Sequence, residues 1–216
     1  MTLDLPGSLW QYRWSEQPTK EVAVADATIT VPKPAIVPVT INVHGLSPLI
    51  CHRWSEKAKK QMLDKQMKKA AQAKEAKDPE KDYEDSLYRT DDGGYGFPSV
   101  GFKAAAVRAG TYADMHMTFL RGAFHVSGEL VTIEGEPQPR EDMVRLGGKT
   151  ADIRYRGEFP KWKASVPVEL NSSVLSVEQL TNLFTIAGFS VGVGEWRPEK
   201  NGQYGRYEVE SVEVRE

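Results

Sequence analysis

The chain has one cysteine and four histidines in 216 residues, and no apolar run of the length a bilayer demands. Each scarcity excludes something. The lone Cys51 rules out an internal disulfide and any cysteine-rich zinc site, which makes a reducing cytosol the default setting. No two histidines stand four apart beside a glutamate, and no histidine–aspartate cluster points to a metal. The opening Met-Thr-Leu-Asp-Leu-Pro-Gly has no charged stretch ahead of an apolar core, so it does not read as a secretory signal. The glycines do not follow the phosphate-loop pattern, and Gly192-Val-Gly-Glu-Trp-Arg lacks the third glycine of a dinucleotide fingerprint. No cofactor, metal or membrane partner is therefore expected. A large charge of one sign is missing too, since the net charge is -2. That argues against a uniformly basic coat but leaves local basic surfaces open.

What the chain does have is a glycine-rich stretch near its end. Gly188, Gly192 and Gly194 sit in an apolar run that leads through Glu195-Trp196-Arg197 into Tyr204-Gly205-Arg206-Tyr207. Glycine weakens a strand, so such a run marks a place where backbone or ligand must come close. The neighbouring Trp196, Arg197, Tyr204, Arg206 and Tyr207 suit a ligand made of phosphates and bases better than a metal or a small acid. A hairpin closing a sheet is the other reading, and the residues alone leave both open.

The rest of the chain is unevenly organised. Residues 1–37 read as an N-terminal arm: Trp10, Tyr12 and Trp14 alternate, and prolines at 32, 34 and 38 interrupt the segment. The arm suits an edge strand or a docking segment for a neighbouring subunit. In the strand that follows, Val39, Ile41 and Val43 alternate with Thr40, Asn42 and His44, the period of a half-buried strand. From Arg53 to Lys77 nine basic residues face three acidic ones, a local charge of +6, with Met62, Leu63, Gln66, Met67 and Ala70 at helical spacing. Followed by the acidic stretch 78–92, this reads as a basic helical insertion over about 53–92. Pro98-Ser99 predicts a helix start with Ser99 as cap, and Phe102, Ala105, Ala106 and Ala109 on one face. Lys103 and Arg108 lie within a turn or two of that helix N-terminus, where backbone N–H groups favour anions.

A strand pattern runs over 123–133. Residues 135–160 gather Arg140, Arg145, Lys149, Arg154 and Arg156 among glycines and read as a flexible basic loop. Trp162, Ala164, Val166 and Val168 then alternate along another strand. Ser176-Val-Glu-Gln is a capping box opening a helix that runs to about Ala187, with Gly188 as its stop. Phe189–Trp196 reads as a strand and Tyr207–Val214 as the last one, the two forming a C-terminal β-hairpin. With the insertion set aside, the order strand, helix, strand, strand, helix, strand is that of a split βαβ unit. The expected fold is α+β, a ferredoxin-like domain over 38–216.

Two segments carry a family resemblance. Phe97-Pro-Ser-Val-Gly-Phe-Lys-Ala-Ala-Ala-Val-Arg-Ala resembles the first-helix start of the RAMP superfamily. Gly192-Val-Gly-Glu-Trp, through to Tyr204-Gly-Arg-Tyr-Glu-Val, resembles its glycine-rich loop, here split by the insert Arg197–Gln203. Gly101 departs from the pattern, which has serine or isoleucine before the lysine. The framework from about Val37 to Val214 is covered. That superfamily includes RNA-binding backbone subunits and processing nucleases of CRISPR systems, and its spread among mobile elements is compatible with a phage or plasmid source.

The resemblance implies a non-catalytic binder of single-stranded RNA or DNA that oligomerises along the strand or joins a larger complex. Contacts would come from Lys103 and Arg108, from Arg140, Arg145, Lys149, Arg154 and Arg156, and from Gly192, Gly194, Trp196, Arg197, Tyr204 and Arg206. A positive track gives sequence-tolerant affinity that falls with salt, and aromatic faces add base stacking. The superfamily's nucleases use histidine with tyrosine or lysine as acid and base. His44 and His52, flanking the turn after the first strand, would be the candidates for an RNA-processing endonuclease. A virion or assembly protein, or a mimic of a CRISPR subunit that binds no nucleic acid, is the remaining alternative.

Overall fold

The computed structural model describes residues 33–54, 56–69, 76–146 and 150–215. The chain divides into Met1–Lys33 and Pro34–Glu216, so the expected N-terminal arm lies almost wholly outside the described residues.

The second unit is mixed α/β with two antiparallel sheets. The larger runs β10(Tyr207–Val214)-β1(Ile36–Gly45)-β9(Lys163–Asn171)-β6(Leu130–Glu134)-β4(Tyr95–Pro98)-β3(Tyr88–Arg89), and β5(Phe124–Val126) also pairs with β9. The smaller is β2(Leu49–Cys51)-β8(Thr150–Phe159)-β7(Gln138–Leu146). Sequence period explains the central strands. Val39, Ile41 and Val43 of β1 are buried opposite Val168, Val166 and Ala164 of β9, while the residues between them are wet or half-wet. A strand with one solvated face needs that alternation.

Helices cover the buried face. In α3(Ser99–Ala109), Phe102, Ala105, Ala106 and Ala109 are buried, and in α5(Val177–Ile186) Leu180, Leu183 and Phe184 are. The small side chains of α3 let it pack closely on α5. The capping box forms as the sequence predicts: Ser176 Oγ accepts from the Gln179 N–H at 3.1 Å, and Gln179 Oε1 accepts from the Ser176 N–H at 3.0 Å. A chain of edge-to-face and tilted rings, Tyr88–Phe97–Phe102–Tyr207–Trp162, runs through the core at centroid spacings of 5.8–6.1 Å.

Several expectations are corrected. The basic segment 53–77 is not one helix over its described part: α1 spans Glu56–Gln66, and Met62 and Leu63 on it and Met67 just past it are exposed. The acidic stretch after it holds α2(Pro79–Ser86), capped by Asp78 and packed on β8. Ser99 is the first residue of α3 rather than its cap, and its hydroxyl donates to the Gly128 carbonyl. Residues 117–123 form a separate short helix, α4. Residues 135–160 are no loop but mostly the β7–β8 hairpin, whose ladder keeps its register from Gln138↔Glu158 to Leu146↔Thr150.

The stretch 189–196 is not a strand, so no C-terminal β-hairpin forms; β10 pairs with β1 instead. Helix α5 widens into a π-turn over Ala187–Val191, closed by the Gly192 N–H donating to the Ala187 carbonyl at 2.8 Å. Gly188 does not stop the helix. It sits inside that turn, where a Cβ would run into the Tyr207 carbonyl oxygen, so its role is to let β10 pass.

Candidate functional site

After the π-turn the chain forms a tightly held loop over 192–206. Gly192, Gly194, Trp196, Asn201 and Gly205 all have left-handed backbone. The loop is tied to the turn around β2: the Glu195 N–H donates to the Ile50 carbonyl at 3.1 Å, and the Gly205 N–H to that of Pro48 at 2.8 Å. Within the loop the Val193 N–H donates to the Gly205 carbonyl and the Tyr204 N–H to that of Trp196. A backbone bonded this fully holds its side chains in fixed places.

Between this loop and α3 lies a cleft of about 400 Å³. Its floor is the small-residue face of α3, Gly101, Ala104 and Ala105, with Ile50, His52 and Tyr88 on one side. Glu195, Arg197, Glu199 and Lys200 line the loop side. Arg197 is committed here: its Nη1 donates to the Gly194 carbonyl at 3.1 Å, and its Nη2 and Nε bond to Glu199 at 2.9 and 3.1 Å. Arg108 reaches the same Glu199 at 3.4 Å. The loop and α3 are thus joined by an ion network through Glu199, which sets Arg108 beside the loop that carries Gly192, Gly194 and Arg197.

The other candidates scatter. Lys103, two residues from Gly101 and so on nearly the opposite side of α3, donates to His125 Nδ1 on β5 at 2.8 Å. Partial burial holds its ammonium below the usual lysine range. Arg140 lies over the Tyr204 ring at 4.7 Å and bonds to Asp142 and Glu158, so one face of Tyr204 is covered. Arg156 is a correction: only 5% exposed, it faces Asp142 at 3.3 Å and Glu195 at 3.9 Å, and is part of the interior. Tyr207 is likewise core, its hydroxyl buried among rings and its pKa pushed up by that burial. Arg154 pairs with Asp152 at 3.0 Å, Arg145 is exposed near the hairpin tip, and Lys149 lies outside the described residues. Arg206 lies over Phe189 at 5.3 Å from the ring centroid.

Trp196 stands apart. Its backbone is left-handed, φ 53°, and its side chain is 40% exposed. Left-handed backbone is costly for a bulky residue. Phe189, 68% exposed on the π-turn, is a surface aromatic that a strand pattern over its segment does not reveal.

Each histidine candidate faces a glutamate. His44 Nε2 meets Glu208 at 3.0 Å across β1 and β10, while His52 Nδ1 lies 3.6 Å from Glu195 at the cleft. Gly188-Phe-Ser-Val-Gly192 spells a nucleophile-elbow pattern, yet Ser190 sits in a π-turn after a helix, without the strand-to-helix turn that exposes such a serine. Among the described residues no group of histidine, cysteine and carboxylates has the geometry to hold a metal ion, and no helix is long and apolar enough to cross a membrane. Burial pushes the Cys51 thiol up to about 12, which keeps it unreactive.

One carboxyl of the cleft is displaced from its ordinary range. The His52 ring, and after it the Arg156 guanidinium, hold the Glu195 carboxyl below the usual glutamate range. A carboxylate depressed by folding adds stability above its unfolded pKa and loses it as pH falls through the folded one. Glu195→Gln is therefore expected to lower the thermal midpoint at neutral pH. The gap to the parent should narrow as the pH drops below the ordinary glutamate range, as thermal melts across acid pH would record.

The chain is thus an α/β protein of two antiparallel sheets with a loop-covered cleft on its first core helix. No protein-family model matches it, and no curated protein does. Among solved structures it is similar to a chain of the Type III-B Cmr-beta bound to cognate target RNA, at 8% identity and a TM-score of 0.47. That match covers 83% of this chain and 60% of the other. It is also similar to Cmr6 from Pyrococcus furiosus, at 12% identity and a TM-score of 0.45, over 82% of this chain and 100% of that one.

Proposed function

We propose that the chain is a non-catalytic subunit that binds single-stranded nucleic acid beside the cleft under its glycine-rich loop, on a RAMP-type split βαβ frame. The frame reading is supported by the sheet order β10-β1-β9-β6, all antiparallel, with α3 in the connection from β1 to β6 and α5 in that from β9 to β10. Two interleaved βαβ units have this order. The basic insertion then occupies the path between β2 and β4.

The single observation that carries the binding reading is Trp196. A large aromatic held half-exposed on left-handed backbone costs about 1–3 kcal/mol, and such strain collects at ligand sites. Core packing does not account for an indole with an open face. Base stacking does, because every base offers a π-face. The net charge of -2 requires the phosphate contacts to be local, and Lys200 and Arg206 are the loop's cations on hand. Assembly along the strand belongs to the same reading: β7 is an edge strand, and Met143 and Ile153, directly opposite each other on the hairpin, are both exposed.

Trp196→Gly separates a ligand role from a structural one. Glycine relieves the left-handed strain, so the thermal midpoint should stay close to that of the parent. Polarisation with labelled single-stranded RNA and DNA should show affinity falling roughly 5- to 100-fold, the loss of one stacked base. The parent's own affinity should weaken with salt. No binding by the parent at low salt would sink the reading.

A further inference from the structure

On the other side of the first turn of α3 lies a second cleft, of about 600 Å³. The residues before and within α1 supply Arg53, Trp54 and Lys59, and the β3 end supplies Arg89 and Asp91. Glu129 and the helix start, Pro98 to Val100, close it. Nothing in the sequence patterns points here, because Arg53 and Trp54 are hidden at the head of a run of lysines that reads as a solvated helix.

Four features act together. Trp54 is 53% exposed, a large aromatic left at the surface. The Arg53 guanidinium makes no ion pair or hydrogen bond among the described residues, unlike Arg89, which bonds to Glu84 at 2.8 Å, and Lys59, which bonds to Glu56 at 2.6 Å. The Val100 N–H at the start of α3 also lacks a partner among the described residues, since Pro98 gives no side-chain cap and the Ser99 hydroxyl is used on Gly128. Finally, Asp91 and Glu129 bring two carboxylates to the lining.

A bare anion would be poorly served by two carboxylates, and an acidic peptide worse. A nucleotide fits the mixture. It brings a flat base for the indole, a phosphate for Arg53 and the helix N–H, and exocyclic amino donors for a carboxylate. Tyr88 lines both this cleft and the one under the glycine-rich loop. Tyr88 thus joins the cleft beside the Trp196 loop to the cleft that Trp54 lines.

We infer that the Arg53–Trp54 cleft is a second nucleotide site, in which one base of a single strand stacks on Trp54 and its phosphate meets Arg53 and the first turn of α3. The inference rests on the single-strand reading above and adds to it where the strand runs and which residues hold it.

The test is polarisation with a labelled single-stranded oligonucleotide over a salt series, on the parent and on Trp54→Ala, Trp54→Phe and Arg53→Gln. All three changes are on exposed or half-exposed side chains, so thermal midpoints should match the parent. Trp54→Ala should weaken binding roughly 5- to 100-fold while Trp54→Phe keeps most of the affinity. Arg53→Gln should reduce the slope of log affinity against log salt by about 0.7, the loss of one phosphate contact on a single strand. If the parent binds and the variants match it in affinity and slope, this site is overturned while the single-strand reading stands. If Trp54→Phe binds as weakly as Trp54→Ala, stacking on Trp54 is overturned. If the parent itself does not bind at low salt, both fall together.

Discussion

Gly205→Ala is expected to be the most damaging single-methyl change in the described chain, lowering stability by about 3 kcal/mol or more. Two costs combine. At φ 64° the backbone of residue 205 is left-handed, which an L side chain adopts only at about 1–2 kcal/mol. A Cβ there would also overlap the Val193 carbonyl oxygen, which belongs to the facing backbone rather than to a flexible side chain. Overpacking of this kind adds about 1–3 kcal/mol where the neighbour cannot give way. Val193 cannot, because its N–H donates to the Gly205 carbonyl and its side chain is core. For a chain of this size the expected fall in the thermal midpoint is roughly 6–12 °C. A midpoint within a degree or two of the parent would show that the loop is looser than its hydrogen bonds imply. Because Gly205 also bonds to Pro48, the change should loosen the loop that carries Trp196 as well.

Asp142→Ala is the second large effect, at about 3–5 kcal/mol. Asp142 is 9% exposed and serves two arginines: Arg140 Nε donates to its Oδ1 at 2.8 Å, and Arg156 Nη1 to its Oδ2 at 3.3 Å. Removing the carboxylate leaves the Arg156 guanidinium buried, with Glu195 at 3.9 Å as its remaining counter-charge. A buried charge stripped of its partner costs far more than the pair contributes. The pair itself is replaceable for the same reason. Asp142→Leu combined with Arg156→Met should recover most of the loss, whereas either change alone should not. Denaturant melts of the two single variants and the double variant form the cycle that decides this. Equal losses in the single and double variants would mean that the charges are better hydrated than their burial suggests.

These two sites also mark where the sequence is silent. The β7–β8 hairpin has the sequence of a basic loop because its residues carry charge instead of apolar alternation. Its inward positions are filled by Arg140, Asp142 and Arg156, which pair through the Asp142 carboxylate, so this strand face shows no hydrophobic period. The stretch 189–196 has the sequence of a strand because Phe189, Val191 and Val193 alternate. Val191 and Val193 are indeed buried, but in a π-turn and a left-handed loop that present them to the same core. Of the site residues, Gly192, Gly194 and Arg197 line one cleft and Arg108 reaches its Glu199, while Lys103 faces away by helical phase and Arg156 is interior. Helical phase is calculable from the sequence; the direction of the core around α3 is not.

What the sequence determined by itself is local: the alternation of β1 and β9, the capping box of α5, the buried stripe of α3 and a glycine-rich segment with work to do. Each follows from a periodicity of 2 or 3.6 or from one turn's hydrogen bonds, and these need only neighbours within a few residues. The tertiary structure decided the rest. It brought β2 and the turn beside it to the glycine-rich loop, turned Trp196 outwards, and set Arg53 and Trp54 against the start of α3, some 45 positions further along the chain. Such pairings depend on which backbones pack together, and a pattern that repeats over a few residues carries no record of that.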